Sequence, residues 1–139
     1  MKTAVPIAVS VLALAAVAIA AAQAATRVVS TAPNAKLGKT ILVTTRGLTL
    51  YSLSTERHGR FICKTRACLA LWKPLHVARG MRPGGISGLG TVRRPDRTIQ
   101  VTYRGAPLYR FYLDQKRGDV LGNGFRDVGV WRPVAVSRR

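Results

Sequence analysis

Apolar and polar residues alternate with a period of two along much of the chain, and they do so in two similar blocks. In the first, Thr40 to Arg46 and Leu48 to Leu53 both alternate, with Arg46-Gly47 between them. Two such runs joined by two residues, the second of them Gly, predict a hairpin in which Thr45 pairs with Leu48, Val43 with Leu50 and Ile41 with Ser52. In the second block, Leu89 to Arg94 and Arg97 to Arg104 flank a turn at Pro95-Asp96. Ile99, Val101 and Tyr103 fall on one side of that strand, and Gln100, Thr102 and Arg104 on the other. After Arg104-Gly105, Tyr109 and Phe111 point to the side of Gln100 and Thr102. Helix-forming sequence is confined to about residues 65 to 72 of the chain after its leader, where Pro74 prevents extension. Residues 25 to 39 read as an extended lead-in with Arg27-Val28-Val29 as a candidate edge strand. Residues 77 to 90, with five glycines, read as a mobile linker. Val128 to Val136 reads as a closing strand, which Pro133 places at an edge or a bulge.

The two blocks are copies of one pattern. ILVTTRGLTLY, residues 41 to 51, recurs without a gap as IQVTYRGAPLY, residues 99 to 109, with seven identical positions. Trp72-Lys73-Pro74-Leu75 is echoed by Trp131-Arg132-Pro133-Val134, one residue out of that register. The expected fold is therefore mainly β: two pseudo-repeated antiparallel hairpin units, about 39–77 and 88–136, sharing one core, with one short helix after the cysteine pair. A lone hairpin buries too little surface to be stable. The faces bearing Tyr51 and Leu53, and Tyr109 and Phe111, are expected to cover one another as core, ahead of forming an aromatic platform for a ligand.

The first 24 residues stand apart from this pattern. Met1-Lys2 is a short cationic start, Val5 to Ala22 is an apolar Ala-rich run, and Ala22-Gln23-Ala24 supplies the small residues that a signal peptidase reads. A signal peptide over residues 1–24, cleaved before Ala25, is expected ahead of an uncleaved anchor. Residues 25–139 then form a single β-rich domain, periplasmic or extracellular. No cysteine lies near residue 25 to carry a lipid. Of 23 basic residues the leader holds one, so 22 oppose five acids, a net charge near +17 (22 − 5). Such a field favours polyanions. Outside the cytoplasm these are anionic envelope polymers and lipid headgroups, with nucleic acid the less expected partner. Base composition accounts for Arg outnumbering Lys, 17 to 6, but not for the scarcity of Glu56, Asp96, Asp114, Asp119 and Asp127.

Cys63 and Cys68 are the two cysteines of a chain expected to meet oxidising conditions, and a structural disulfide is the first reading. Closing so short a loop contributes about 2 kcal/mol in the chain-entropy model. A redox-active pair is the alternative, because Lys64 and Arg66 lie between the thiols. The spacing is not C-x-x-C, and Leu69 stands where haem attachment needs His. His58 and His76 complete a formal zinc set with the cysteines, but oxidation competes for the thiols. Asp114, Asp119 and Asn123 could hold calcium, against which the Lys- and Arg-rich loop argues. No catalytic or phosphate-binding motif is present, and four of the five acids sit in turns where they cap backbone donors. Neither metal nor cofactor is expected, and no enzyme activity.

Tyr109-Arg110-Phe111-Tyr112-Leu113-Asp114 fits the Y-x-[FWY]-x-x-D motif. With the repeated GxxLY elements (Gly47 to Tyr51, Gly105 to Tyr109), the cysteine pair, Trp72 to Leu75, Gly88 to Thr91, Gly118-Asp119 and Gly129 to Trp131, the chain from about Lys39 to Val136 resembles the secreted repeat of unknown function, a family of predicted bacterial lipoproteins. The first unit departs from the motif, with Leu53 in place of the aromatic and Glu56 in place of Asp. Arg97 replaces the usual turn glycine, Ala106 stands where a large residue often precedes Pro-Leu-Tyr, and the cysteines are one residue further apart than usual. The resemblance implies an exported, β-rich small protein and marks Tyr51, Trp72, Tyr109, Phe111, Asp114 and Trp131 as motif positions. The expected function is an exported, envelope-associated, non-catalytic binding or structural protein with a basic surface suited to anionic polymer or lipid. The alternative is a periplasmic redox or electron-transfer accessory using Cys63 and Cys68.

Overall fold

The computed structural model describes residues 24–137, so the expected signal peptide lies outside the described residues apart from its last position. The chain is mainly β, with antiparallel sheets and one short helix among the described residues. In order it forms β1 (Val29–Asn34), β2 (Lys39–Thr44), β3 (Tyr51–Leu53), α1 (Arg66–Leu71), β4 (Trp72–Pro74), β5 (His76–Val77), β6 (Leu89–Arg93), β7 (Ile99–Tyr103), β8 (Ala106–Pro107), β9 (Tyr109–Phe111) and β10 (Trp131–Pro133). β1 pairs with β2, the order β10-β3-β9-β4 makes a second sheet, and β5-β7-β6 with β8 on β7 makes a third.

The two hairpins turn differently. In the second unit Tyr103 pairs with Ala106 across Arg104 and Gly105, both at positive φ (48° and 79°). That is the two-residue turn whose twist suits a β-hairpin. In the first unit Val43 pairs with Thr49 and Thr44 N donates to Leu48 O, so three residues lie in the loop and only Gly47, at φ 89°, is left-handed. The expected pairings Thr45–Leu48, Val43–Leu50 and Ile41–Ser52 are therefore one residue out. In the three-residue loop the Thr44 hydroxyl accepts from Leu48 N at 3.2 Å, while its amide reaches Leu48 O at 2.8 Å. The second unit has Thr102 at the same place and keeps the two-residue turn, so this bond accompanies the shift and does not by itself explain it. A slip of one residue exchanges the faces of a strand.

Beyond the turns, the units exchange strands. Leu42 N donates to Val134 O, Val134 N to Leu50 O and Leu50 N to Leu42 O, at 2.9 to 3.0 Å. The second unit closes the same ring with Leu75 of the first: Val101 N to Leu75 O, Leu75 N to Leu108 O and Leu108 N to Val101 O, at 2.8 to 3.0 Å. Likewise β10 borders β3 and β4 borders β9. Pro133 and Pro74 thus sit on the two edge strands of that sheet, where a missing N–H leaves no gap in the ladder. At its centre Tyr51 and Tyr109 face each other as partners across β3 and β9. The expected face-to-face covering of the two hairpins is corrected here: these strands meet edge to edge, and their side chains share one face.

Two apolar clusters form instead of one core, each fed by both units. One gathers Tyr51, Leu53, Cys63, Trp72, Tyr109, Phe111 and Trp131. The other is built on Val29, Leu42, Leu50, Val101, Tyr103 and Leu108. Three further readings are revised. The lead-in is a full strand, β1, because pairing with β2 along its whole length compensates for its small polar side chains. The glycine-rich segment is tied by Thr26, which donates to Arg82 O and accepts from Gly84 N, and Ile86 packs on the second cluster. The helix starts inside the cysteine pair and contains Cys68, with Thr65 as its N-cap accepting from Cys68 N at 3.2 Å.

Arg97 holds the left-handed position of the β6–β7 turn at φ 70°, and its side chain is exposed. Arg97→Gly is expected to raise stability by about 0.5 to 1 kcal/mol, since relief of a side chain in that region, worth about 1 to 2 kcal/mol, exceeds the extra freedom that glycine gives the unfolded chain. A denaturant midpoint unchanged or lowered would contradict this.

Candidate functional site

The motif tyrosines and acids form two links, each across units. Tyr51 Oη donates to Asp114 Oδ2 at 2.6 Å, and Tyr109 Oη donates to Glu56 Oε2 at 2.8 Å. Each acid stands five residues after the tyrosine of its own unit and bonds the tyrosine of the other. The reason is local. β3 and β9 run antiparallel through Tyr51 and Tyr109, and tight turns follow both (Glu56 N to Leu53 O, Asp114 N to Phe111 O), returning each acid beside the neighbouring strand.

The acids also order the loops that follow them. Glu56 Oε1 accepts from Ile62 N and Cys63 N, both at 2.7 Å, and Asp114 Oδ1 accepts from Leu121 N at 3.0 Å. Glu56 is fully buried and Asp114 nearly so. Burial pushes the Asp114 carboxyl up from the usual carboxylate range, while the bonds from Tyr51 and Leu121 pull it the other way. The remaining three acids are similarly engaged. Asp96 accepts from Thr98, Asp119 from Gln115 N and Lys116 N, and Asp127 from Val128 N and Trp131 Nε1. All five carboxylates therefore serve backbone, hydroxyl or indole donors.

Arg94 joins the Glu56 side of the network and is 3% exposed. Its Nη1 donates to Gln100 Oε1 at 2.6 Å and to Tyr109 Oη at 3.0 Å, its Nη2 donates to Cys63 O at 2.6 Å, and its guanidinium lies over Phe61, 4.6 Å from the ring centroid. Gln100 Nε2 donates to Leu108 O at 2.7 Å, so the amide is satisfied at both ends. One arginine thus ties strand, loop and disulfide segment together, with Glu56 opposite it across the Tyr109 hydroxyl. Sequence reasoning missed both Arg94 and Gln100, since nothing marks one arginine of 17 as buried.

The other motif residues are core. Trp72 and Trp131 stack with centroids 3.9 Å apart and planes 7° from parallel, Tyr51 meets Trp72 edge-on at 5.3 Å, and Tyr109 meets Trp131 edge-on at 5.0 Å. Phe111 packs on Trp72 at 4.6 Å. Trp131 Nε1 donates to Asp127 Oδ1 at 3.1 Å, whereas Trp72 Nε1 is buried without a partner. Four residues before Trp131 stands Asp127, and four before Trp72 stands Cys68. The position that supplies an acceptor in one unit carries the disulfide in the other.

Cys63 and Cys68 form that disulfide, with Cα atoms 5.5 Å apart. Cys63 is fully buried, and Cys68 is half-buried at an apolar cleft of about 320 Å³ that also involves Ile62, Leu71, Phe125 and Val128. His58 lies against Gly105 and His76 near Thr98 Oγ1. With both thiols bonded to each other, the four-ligand set of two cysteines and two histidines is not assembled, and no group of three potential metal ligands occurs among the described residues.

Both linking tyrosines are held well above the ordinary phenol range, first by burial and then by the neighbouring carboxylates. A raised folded-state value means that their stabilisation is fully present below the ordinary phenol pKa of about 10 and is lost as pH rises beyond it. In an alkaline absorbance titration these two of the four tyrosines are expected to ionise together with unfolding. Ionisation of all four before any loss of far-UV signal would contradict the buried links.

On the surface, a groove of about 600 Å³ is walled by Arg46, Lys73, Arg110, Lys116 and Arg117, with Tyr112 at its side and Asp114 among its lining residues. No helix among the described residues is long and apolar enough to cross a membrane.

Fold and site together define a small, mainly β structure closed by a disulfide, whose tyrosine–carboxylate links cross between the segments that follow β3 and β9. Residues 90–135 match the family described as a secreted repeat of unknown function, and over that span the chain is similar to it. The first unit's share of the resemblance, Gly47 to Tyr51 and Trp72 to Leu75, lies outside the matched span. No curated protein and no solved structure matches the chain. A family described as secreted is in keeping with an exported protein.

Proposed function

We propose that the protein is exported, works in the periplasm or outside the cell in association with the envelope, and is a non-catalytic binding or structural protein whose basic surface takes anionic polymer or lipid headgroups. One observation carries this reading. Glu56, Asp114 and Asp119 are buried, leaving Asp96 and Asp127 as the exposed acids among the described residues, whereas every described basic side chain except the buried Arg94 and the half-buried Arg110 is exposed. Base composition can enrich arginine, but it does not account for there being so few acids. A concentrated positive field attracts polyanions and is screened by salt.

The test is retention of the secreted form on polygalacturonate resin and on vesicles containing phosphatidylglycerol. Binding at about 50 mM salt that is lost by about 500 mM is expected, because the screening length falls severalfold over that range. Retention unaffected by salt, or equal on neutral dextran and on phosphatidylcholine vesicles, would overturn the proposal.

A further inference from the structure

Arg46, Lys73, Arg110, Lys116 and Arg117 come from separate parts of the chain and converge on one groove. Arg46 sits in the β2–β3 turn, Lys73 and Arg110 are paired neighbours on β4 and β9, and Lys116 and Arg117 lie in the loop after β9. We infer that this groove is the ligand site of the polyanion binding proposed above, on which the inference rests, and that its ligand is an anionic glycan, a chain of sugar rings bearing carboxylate or phosphate groups.

The backbone that carries Lys116 and Arg117 is ordered before any ligand arrives. Asp119 accepts from Gln115 N and Lys116 N at 2.9 and 3.0 Å, Thr49 Oγ1 donates to Asp119 O at 2.6 Å, and Asn34 Nδ2 donates to Gly118 O at 3.3 Å. The loop is thereby fastened at Gly118 to the end of β1 and at Asp119 to the segment between β2 and β3. Arg117 lies directly over the turn: a Cβ at Gly47 would stand 2.6 Å from Arg117 Cγ. A preordered cationic site loses less entropy on binding. Asp114, the acid of the groove, has its oxygens occupied by Tyr51 Oη and Leu121 N. Three of the five cations are arginines, whose planar forks match carboxylate and phosphate oxygens two at a time.

Between the charges lie apolar faces, the exposed ring of Tyr112 and the half-buried Leu48. Spaced anions with apolar faces between them are the pattern of an acidic polysaccharide, whose ring C–H faces pack on aromatic surfaces while its acid groups reach the cations. A bilayer presents its headgroups in a plane, and a concave site draws in a strand more readily than a plane. A larger cleft of about 840 Å³, between the β1–β2 turn and residues 135 to 137, has Lys39 as its one charged lining residue and lacks this pattern.

The test compares two variants of equal charge change. One is Lys73→Gln/Arg110→Gln/Arg117→Gln in the groove, and the other is Arg79→Gln/Arg82→Gln/Arg126→Gln, at exposed positions outside the groove lining. Titration with polygalacturonate at fixed salt should show the groove variant weakened about tenfold or more, as expected for three exposed ion pairs. The control should stay within about twofold, since scattered charges contribute mainly through a screened field. Tyr112→Ala, at an exposed side chain, should weaken polygalacturonate and leave phosphatidylglycerol vesicles unaffected, and circular dichroism confirms the fold of each variant. Equal losses in both triple variants would overturn the site while leaving the proposed function standing. Tighter binding of phosphatidylglycerol vesicles or of a single-stranded oligonucleotide than of polygalacturonate would overturn the glycan. Absence of salt-sensitive binding by the unsubstituted protein to all three probes would overturn the proposed function beneath it.

Discussion

Glu56→Ala is expected to destabilise the protein by about 4 kcal/mol, the range for breaking a buried, hydrogen-bonded charge network by removing one partner. The change strips the acceptor from Ile62 N, Cys63 N and the Tyr109 hydroxyl at once. It also leaves the Arg94 guanidinium buried with no carboxylate across Tyr109 from it. A small domain has about 5 to 15 kcal/mol of stability in total, so the variant should unfold at far lower denaturant or fail to accumulate. Glu56→Leu/Arg94→Met removes both charges and should cost less than the sum of the single changes, because neither charge is then left unmatched. Strict additivity of the two changes, or a loss below about 1 kcal/mol for Glu56→Ala, would show that the network is not a support of the fold.

Asp114→Ala should lower stability by about 3 kcal/mol, through the unpaired Tyr51 hydroxyl and Leu121 amide. It should also weaken polyanion binding. Asp114 closes the loop whose first turn carries Lys116 and Arg117, and with Leu121 N released that loop is anchored only through Asp119, Thr49 and Asn34. Asp114→Asn keeps an acceptor for Leu121 N and should cost about 1 kcal/mol, within the range for a single neutral hydrogen bond. Unfolding midpoints and polygalacturonate titrations on both variants separate the effects. Full binding by a folded Asp114→Ala protein would show that the link to Tyr51 and the order of the groove are independent.

The difference between these two links shows what was legible. The spacing of five from Tyr51 to Glu56 and from Tyr109 to Asp114 stands in the sequence, and so does the exchange of Glu for Asp. The reading that acids cap backbone donors also holds, and extends from four of them to all five. What could not be read is that each acid serves the tyrosine of the other unit. That depends on β3 and β9 lying side by side, a pairing between residues 58 positions apart (109 − 51) that no local pattern encodes. Arg94 was illegible for a related reason. Its burial follows from the convergence of Phe61, Cys63, Gln100 and Tyr109, which are distant or unremarkable in sequence.

Locally determined features followed the chain itself. Period-two alternation, turn glycines and two prolines on edge strands specify antiparallel β structure, and a cysteine pair five positions apart closes as a disulfide. These are interactions between near neighbours, whose geometry a few residues decide. The register of the first hairpin already lay at the limit, since Thr44 to Thr49 and Thr102 to Pro107, alike in sequence, close with loops of three and two residues. Tertiary structure alone decided the exchange of β4 and β10 between units, the buried Arg94 network and the groove that gathers five cations. Each arises where segments far apart in sequence meet, and the energy that selects such a meeting comes from burying both partners together rather than from either segment alone.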